Sequence, residues 1–253
     1  MAIIIAFENS GYKKVGKPLD FGSCVIIGLM VERIKVLRQS LIFSRLSEPE
    51  LEELAKLAVA REFDAEEYVF WEEDLPDRFY IVAAGRIKVL KSTSGGKELI
   101  IAFFGPGEIF GEVAVFSGKP YPASAQAMEN TVVLSISKDA FLKFLAAHPQ
   151  VSLRIINVLG ERLREAQSRI RDLAGERVEQ RISRILLMLA AKLGPDLPFT
   201  RQEIADMSGT TVETAIRVMS RLKDGGIIRS SRGKTIIINE TKLRLLSEGP
   251  PRV

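Results

Sequence analysis

The chain has 253 residues, 46% of them hydrophobic and 27% charged, with a net charge of +4, which suits one large or two smaller soluble domains. Cys24 is the only cysteine. An intrachain disulfide, a four-cysteine zinc site and a cysteine-ligated iron–sulfur cluster within the chain are therefore excluded.

No apolar run reaches about 18 residues, so no membrane-spanning helix is expected. From Val151 onward there are 19 Lys/Arg against 12 Asp/Glu, whereas residues 1–150 hold 17 against 20. A basic C-terminal part joined to a slightly acidic N-terminal part fits a nucleic-acid reader joined to another module. Residues 1–29 show no clear period and carry glycines at 11, 16, 22 and 28. They are expected to be a disordered or loosely attached extension, or to lie upstream of a start at Met30. The apolar run near the N-terminus has no basic region before it, and Glu8 breaks it. It is not read as a secretory signal, and the protein is expected to be cytoplasmic.

Residues 30–148 are read as one domain. Ser47-Glu48-Pro49-Glu50 starts a short helix through Leu57. Ala60 to Ile136 is strand-rich: Tyr68–Phe70, Phe79–Val82, Arg86–Leu90, Leu99–Phe103 and Val132–Ile136 are short β-type runs. Turn signals separate them at Pro76-Asp77, Ala84-Gly85, Ser94–Gly96, Gly105–Gly107 and Ser117–Pro120. This spacing predicts a small antiparallel barrel or roll.

From Asp139 the period turns helical. Ile156, Leu159, Leu163, Ala166, Ile170 and Leu173 alternate gaps of three and four, the seam of a two-stranded coiled coil, with Arg and Glu around it. Residues 149–175 are thus expected to be a homodimerisation helix ending in a hinge at Gly175. A more thoroughly apolar helix follows from Arg177 to Leu193, and residues 176–246 form the last domain.

Within that domain, Thr200 to Asn239 reads as helix, tight turn, helix and two-stranded hairpin. Thr200 with Glu203, and Thr210 with Glu213, are expected capping boxes, and Ser208-Gly209 supplies the turn. Ala215, Val218 and Leu222 face inward; Glu213, Ile216, Arg217, Ser220 and Arg221 face outward. Arg229 to Lys234 forms a basic turn between two strands. The pattern is a winged helix-turn-helix suited to phosphates and major-groove base edges. Glu213 and Arg217 stand four apart, so both point from one helix face. Arg201, Thr211, Ser220, Arg221, Arg229, Arg232 and Lys234 are the expected phosphate contacts, which position without specifying.

Roll, long helix, glycine hinge and winged helix in this order resemble the cyclic-AMP receptor and fumarate–nitrate reduction regulator (Crp/Fnr) family. The resemblance covers roughly residues 40–240. It is most specific at Phe110-Gly111-Glu112-Val113-Ala114-Val115, similar to the family's phosphate-binding cassette, and at Val212-Glu213-Thr214-Ala215-Ile216-Arg217. It implies an α+β fold: an N-terminal antiparallel β-roll of cyclic-nucleotide-binding, jelly-roll type, a long dimerisation helix and a C-terminal winged helix-turn-helix. It also implies a dimeric, DNA-binding regulator of palindromic operators, with RNA polymerase as partner. The resemblance implies that Glu213 and Arg217 read a G·C region of each half-site, a carboxylate accepting from cytosine N4 and a guanidinium gripping guanine O6 and N7. Val212 matches the fumarate–nitrate reduction branch, but Ile216 stands where that branch has a serine and is expected on a thymine methyl, so an inner G-A step with A/T-rich flanks is expected.

The family's cyclic-nucleotide binders follow the cassette glutamate with an arginine for the phosphate and then Ser/Thr-Ala. Here Glu112 and Ser124-Ala125 are present, but Pro122-Ala123 stands where the arginine is needed. The family's adenine-facing hydroxyls align with Ala166 and Gln167. Cyclic AMP is therefore not the expected effector, and Glu112 is expected to close its loop structurally. Phe103, Phe104, Phe110, Val113, Val115 and Phe116 are expected to line an apolar pocket, and Phe104, Phe110, Gly111, Glu112, Val113 and Ser124 form the candidate effector site for an unknown small molecule. No cofactor or metal is expected: haem is open but unsupported, since the single histidine, His148, suits a helix start better than an axial ligand. The alternatives are a cyclic-nucleotide regulator with an altered binding mode, or a small-molecule-binding module or enzyme with an incidental winged helix. Catalysis is not expected: Glu108 and Glu112 lack a His, Ser or metal constellation, and Ser94 to Lys97 lacks the context of a phosphate loop.

Overall fold

The computed structural model describes residues 17–18, 23–92, 98–231 and 233–248. It divides into two units. The first takes residues up to Val89 together with Ala102–Ser152; the second takes Leu90–Ile101 and the chain from Leu153 onward.

The first unit begins with β1 (Lys17–Pro18) and α1 (Ser23–Gln39). The helix runs through Met30 without a break, so the expected boundary at 29/30 falls inside an element. Nothing in 23–39 stops a helix except Gly28, which costs only about 1 kcal/mol in a helix interior. Most of the expected extension, residues 1–16 and 19–22, lies outside the described residues. Then comes α2 (Glu48–Leu57), opened by Ser47, whose backbone N–H and Oγ both donate to Glu50 Oε2 at 2.7 Å.

The strands follow in order: β2 (Val59–Phe63), β3 (Tyr68–Phe70), β4 (Arg78–Ala84), β5 (Ile87–Ser92), β6 (Glu98–Phe104), β7 (Ile109–Phe110), β8 (Ser124–Ala127) and β9 (Thr131–Ser137), with the short helix α3 (Glu112–Ser117) between β7 and β8. They form a five-stranded sheet in the order β1-β2-β9-β4-β7 and a four-stranded sheet in the order β3-β8-β5-β6. Every pairing with a described register is antiparallel, with β9 at the centre of the first sheet: Arg61 faces Val133, and Ile81 faces Leu134. Phe63, Val69, Phe70, Tyr80, Val82, Phe104, Phe110, Tyr121 and Val133 form one buried core. The expected strands are all present. β1, β2, β7 and β8 were not among the expected runs: β1 and β7 have two residues each, β2 sets Arg61-Glu62 between its apolar ends, and β8, Ser-Ala-Gln-Ala, alternates but carries no β-branched or aromatic side chain.

A second aromatic group packs α4 (Lys138–Ala147) onto the first sheet: Phe141 lies 4.0 Å from Phe79 and 6.4 Å from Phe43. The chain then enters α5 (Pro149–Gly175) at His148.

The second unit holds α5 from Leu153, α6 (Val178–Leu193), β10 (Asp196–Leu197), α7 (Arg201–Ser208), α8 (Val212–Asp224), β11 (Ile228–Ser231), β12 (Lys234–Ile237) and α9 (Glu240–Glu248). Ile182, Leu186, Leu189, Ile204, Ala215, Leu222 and Leu243 are buried among these elements. The wing is a three-stranded sheet ordered β10-β12-β11, one strand more than the sequence suggested.

Candidate nucleic-acid interface

Helix α7 starts where the sequence placed it. Thr200 Oγ1 accepts the Glu203 N–H at 3.2 Å, and Glu203 Oε2 accepts the Thr200 N–H at 2.7 Å. It stops at Gly209, which takes φ +61°, a left-handed conformation open to glycine at no steric cost.

The second cap differs from expectation. Thr211, not Thr210, opens α8, and its Oγ1 accepts the Thr214 N–H at 3.3 Å. The Thr210 N–H is already donated to the Ala205 carbonyl at 3.1 Å, finishing the end of α7. The chain turns into α8 one residue later, and the Thr210–Glu213 box does not form. Glu213 thus lies in the first turn of α8, where the helix dipole favours an anion.

Ala215, Val218, Met219 and Leu222 are buried on one side of α8. Glu213, Arg217, Ser220 and Arg221 are exposed on the other, while Ile216 is half-buried, less outward than expected. Arg217 Nη2 donates to Thr214 Oγ1 at 3.2 Å, and Thr211 Oγ1 donates to the same oxygen at 3.2 Å. The guanidinium is thereby steadied from the helix's own first turn.

The expected phosphate contacts stand in unequal settings. Arg201 and Arg229 are exposed. The exposed Thr211 spends its hydroxyl as the cap. Arg221 comes within 4.0 Å of Glu179 on α6. Lys234 is exposed but pairs with Asp196 at 2.6 Å across the strand that sequence reasoning missed. Arg232 lies outside the described residues; its neighbour Gly233 turns the wing with φ +72°.

On α5, Ile156, Leu163 and Ile170 are 62%, 59% and 67% exposed, at heptad spacing. Leu159 is half-buried, Ala166 is exposed, and the Leu173 side chain lies outside the described residues. Leu153, exposed at 64%, extends the stripe one turn toward the N-terminus.

In the roll, Gly111 has φ +79°, and a Cβ there would stand 3.3 Å from the rings of both Phe70 and Tyr121. Glu112, in the first turn of α3, is buried. The expected apolar lining is split. Phe110 and Val115 are buried, with Phe110 stacked on Tyr80 and Phe104. Val113 and Phe116 lie on the exposed side of α3, and Phe103 is buried at its strand end. The reason is the three-to-four-residue period of α3, which turns alternate cassette residues outward.

Ala123 is buried. Ser124 Oγ accepts the Glu72 N–H at 2.8 Å. Tyr121, which sequence reasoning passed over, stacks on Phe70 at 3.8 Å and donates its hydroxyl to the Arg78 carbonyl at 2.5 Å. Burial holds the phenols of Tyr121 and Tyr80 well above their ordinary range, so both stay protonated. The signal that marks Tyr121 is an aromatic residue between two prolines, Pro120 and Pro122, in an otherwise polar turn.

Residues 60–148 match the family described as the cyclic nucleotide-binding domain, and residues 180–246 match the Crp-like helix-turn-helix domain. The chain is 33% identical over 176 residues to the cyclic AMP receptor protein of Thermus thermophilus, covering 69% of this chain and 81% of that protein. It is 27% identical over 216 residues to a CRP-like cAMP-activated global transcriptional regulator of Mycobacterium tuberculosis, covering 82% and 96%. The structure of FixK2 from Bradyrhizobium japonicum superimposes with a TM-score of 0.68 at 24% identity, over 74% of this chain and 96% of that one.

Proposed function

The chain belongs to the Crp/Fnr family of DNA-binding transcription regulators, and from that membership we propose that it acts as a homodimer on a palindromic operator, gated by an effector other than cyclic AMP at or near the roll. The observation that carries the DNA half is α8: a helix buried along Ala215, Val218 and Leu222 that presents Glu213 and Arg217 together to solvent. Two such helices on one operator would stand about 34–36 Å apart, one turn of DNA. The exposed stripe on α5 supports the dimer, and RNA polymerase is the partner such a regulator addresses.

The observation against cyclic AMP is the buried Ala123, next to a Ser124 whose hydroxyl is engaged by the Glu72 N–H. A cyclic phosphate held without a guanidinium loses a bidentate, charge-assisted pair. Because relatives are named for cyclic AMP, that nucleotide is the direct competitor to test. Filter binding of random duplexes is expected to enrich a palindrome containing a G·C pair in each half-site, and calorimetry with cyclic AMP at sub-millimolar concentration is expected to give no binding heat. Failure to retain any duplex overturns the DNA half; a micromolar isotherm overturns the effector half.

A further inference from the structure

Arg181 stands one turn into α6 and is not among the expected DNA contacts. Its guanidinium addresses three backbone carbonyls. Nε donates to the Ser208 carbonyl at 3.0 Å, Nη1 to the Glu176 carbonyl at 2.9 Å, and Nη2, at the limit of hydrogen bonding, to the Gly209 carbonyl at 3.5 Å. Ser208 and Gly209 are the end of α7 and the turn that leads into α8. Their carbonyls have no partner within their own helix, and a cation at a helix C-terminus is the group that suits them. Glu176 belongs to the short linker between α5 and α6. That linker is held a second time, by the ion pair of the Glu176 carboxylate with Arg184 at 2.7 Å.

We propose that Arg181 is a positioning residue for DNA recognition: one rigid, planar group joins the linker leaving α5 to the turn preceding α8, so that the linker sets the angle at which Glu213 and Arg217 are presented. The role rests on the DNA-binding assignment above. A planar fork bridges carbonyls in two separate segments; a lysine, with one compact charged head, serves one segment at a time, and a glutamine carries no charge to the helix end.

The test uses the full chain with Arg181→Lys and Arg181→Gln. Binding is measured to a duplex that the unmodified protein selects from a random pool, and to the same duplex with its half-sites shuffled. The lysine variant is expected to melt close to the unmodified protein, to keep its affinity for the shuffled duplex, and to lose about tenfold in preference for the selected one. The glutamine variant loses at least as much. Amide exchange, which needs no DNA, is expected to quicken together at residues 176–180 and 209–214 in both variants. Unchanged exchange at either segment overturns the proposal. So does a parallel fall in melting temperature and in affinity for both duplexes, which is what mere destabilisation produces. If the unmodified protein selects no duplex, the DNA-binding assignment fails and amide exchange alone decides whether the clasp exists.

Discussion

Arg217 and Lys234 carry the same charge in different settings. Arg217 is braced by Thr214 on a helix face that also carries Glu213, so its fork has a fixed direction. Lys234 is a point charge on the wing, tied to Asp196. Arg217→Ala is expected to cost ~1–3 kcal/mol per half-site and to relax the preference at the G·C pair it reads. Lys234→Ala is expected to weaken all duplexes about equally and to lower the log–log salt slope by ~1 for each phosphate it no longer neutralises. Asp196→Asn separates the two roles further. Freeing Lys234 from an exposed pair worth ~0–1 kcal/mol raises affinity for every duplex by up to about fivefold, without altering base preference. Titrations against the selected duplex and a G·C-swapped version decide it. Full discrimination retained by Arg217→Ala, or a base preference changed by Lys234→Ala, defeats the assignment. The spacing of Glu213 and Arg217 was legible because four residues make about one helical turn. The Asp196 pair was not, because it depends on a two-residue strand that sequence periodicity cannot resolve.

At the scale of elements, local chemistry was readable and competition between neighbouring signals was not. Thr200-x-x-Glu203 and Ser47-x-x-Glu50 both start helices where the pattern says. Thr210-x-x-Glu213 fails because the end of α7 claims the Thr210 N–H first. The aromatic content of the roll was evident, but the seat that Tyr121 takes over Gly111 depends on a turn geometry set by residues far along the chain. The start of α2 makes a testable case. Glu50 receives both Ser47 hydrogen bonds, while its other oxygen receives Gln150 Nε2 at 3.0 Å and faces His148 Nδ1 at 3.1 Å. Those Ser47 bonds, and after them the His148 ring, hold the Glu50 carboxyl below its usual range. A carboxyl lowered by folding stabilises the protein above its unfolded-state value, and that contribution is lost as pH falls through the lowered folded value. Glu50→Gln is therefore expected to melt below the unmodified protein at neutral pH, with the two melting curves converging under acid. A gap that stays constant from neutral pH down to strongly acidic solution contradicts the linkage between α2 and the start of α5.

For the whole molecule the question is what covers the stripe on α5. Twenty-seven residues make a helix about 40 Å long, and Leu153, Ile156, Leu163 and Ile170 each leave about three-fifths of their surface in solvent. Heptad spacing of three of them is the pattern by which two copies bury one another. Placing Glu at both Leu163 and Ile170 adds four carboxylates to the seam of a dimer, opposing like charges at close range. Because both side chains are already exposed in the single chain, the fold of each copy is expected to survive, with its melting little changed at low concentration. Sedimentation is expected to show monomers. Binding to the selected palindrome is expected to fall far more than binding to one isolated half-site, because the second half-site is no longer engaged at the high effective concentration that a linked pair provides. A double variant that still sediments as a tight dimer would assign the stripe to some other contact. One that becomes monomeric yet keeps full affinity for the palindrome would show that the two half-sites are read independently, and would remove the dimer from the mechanism.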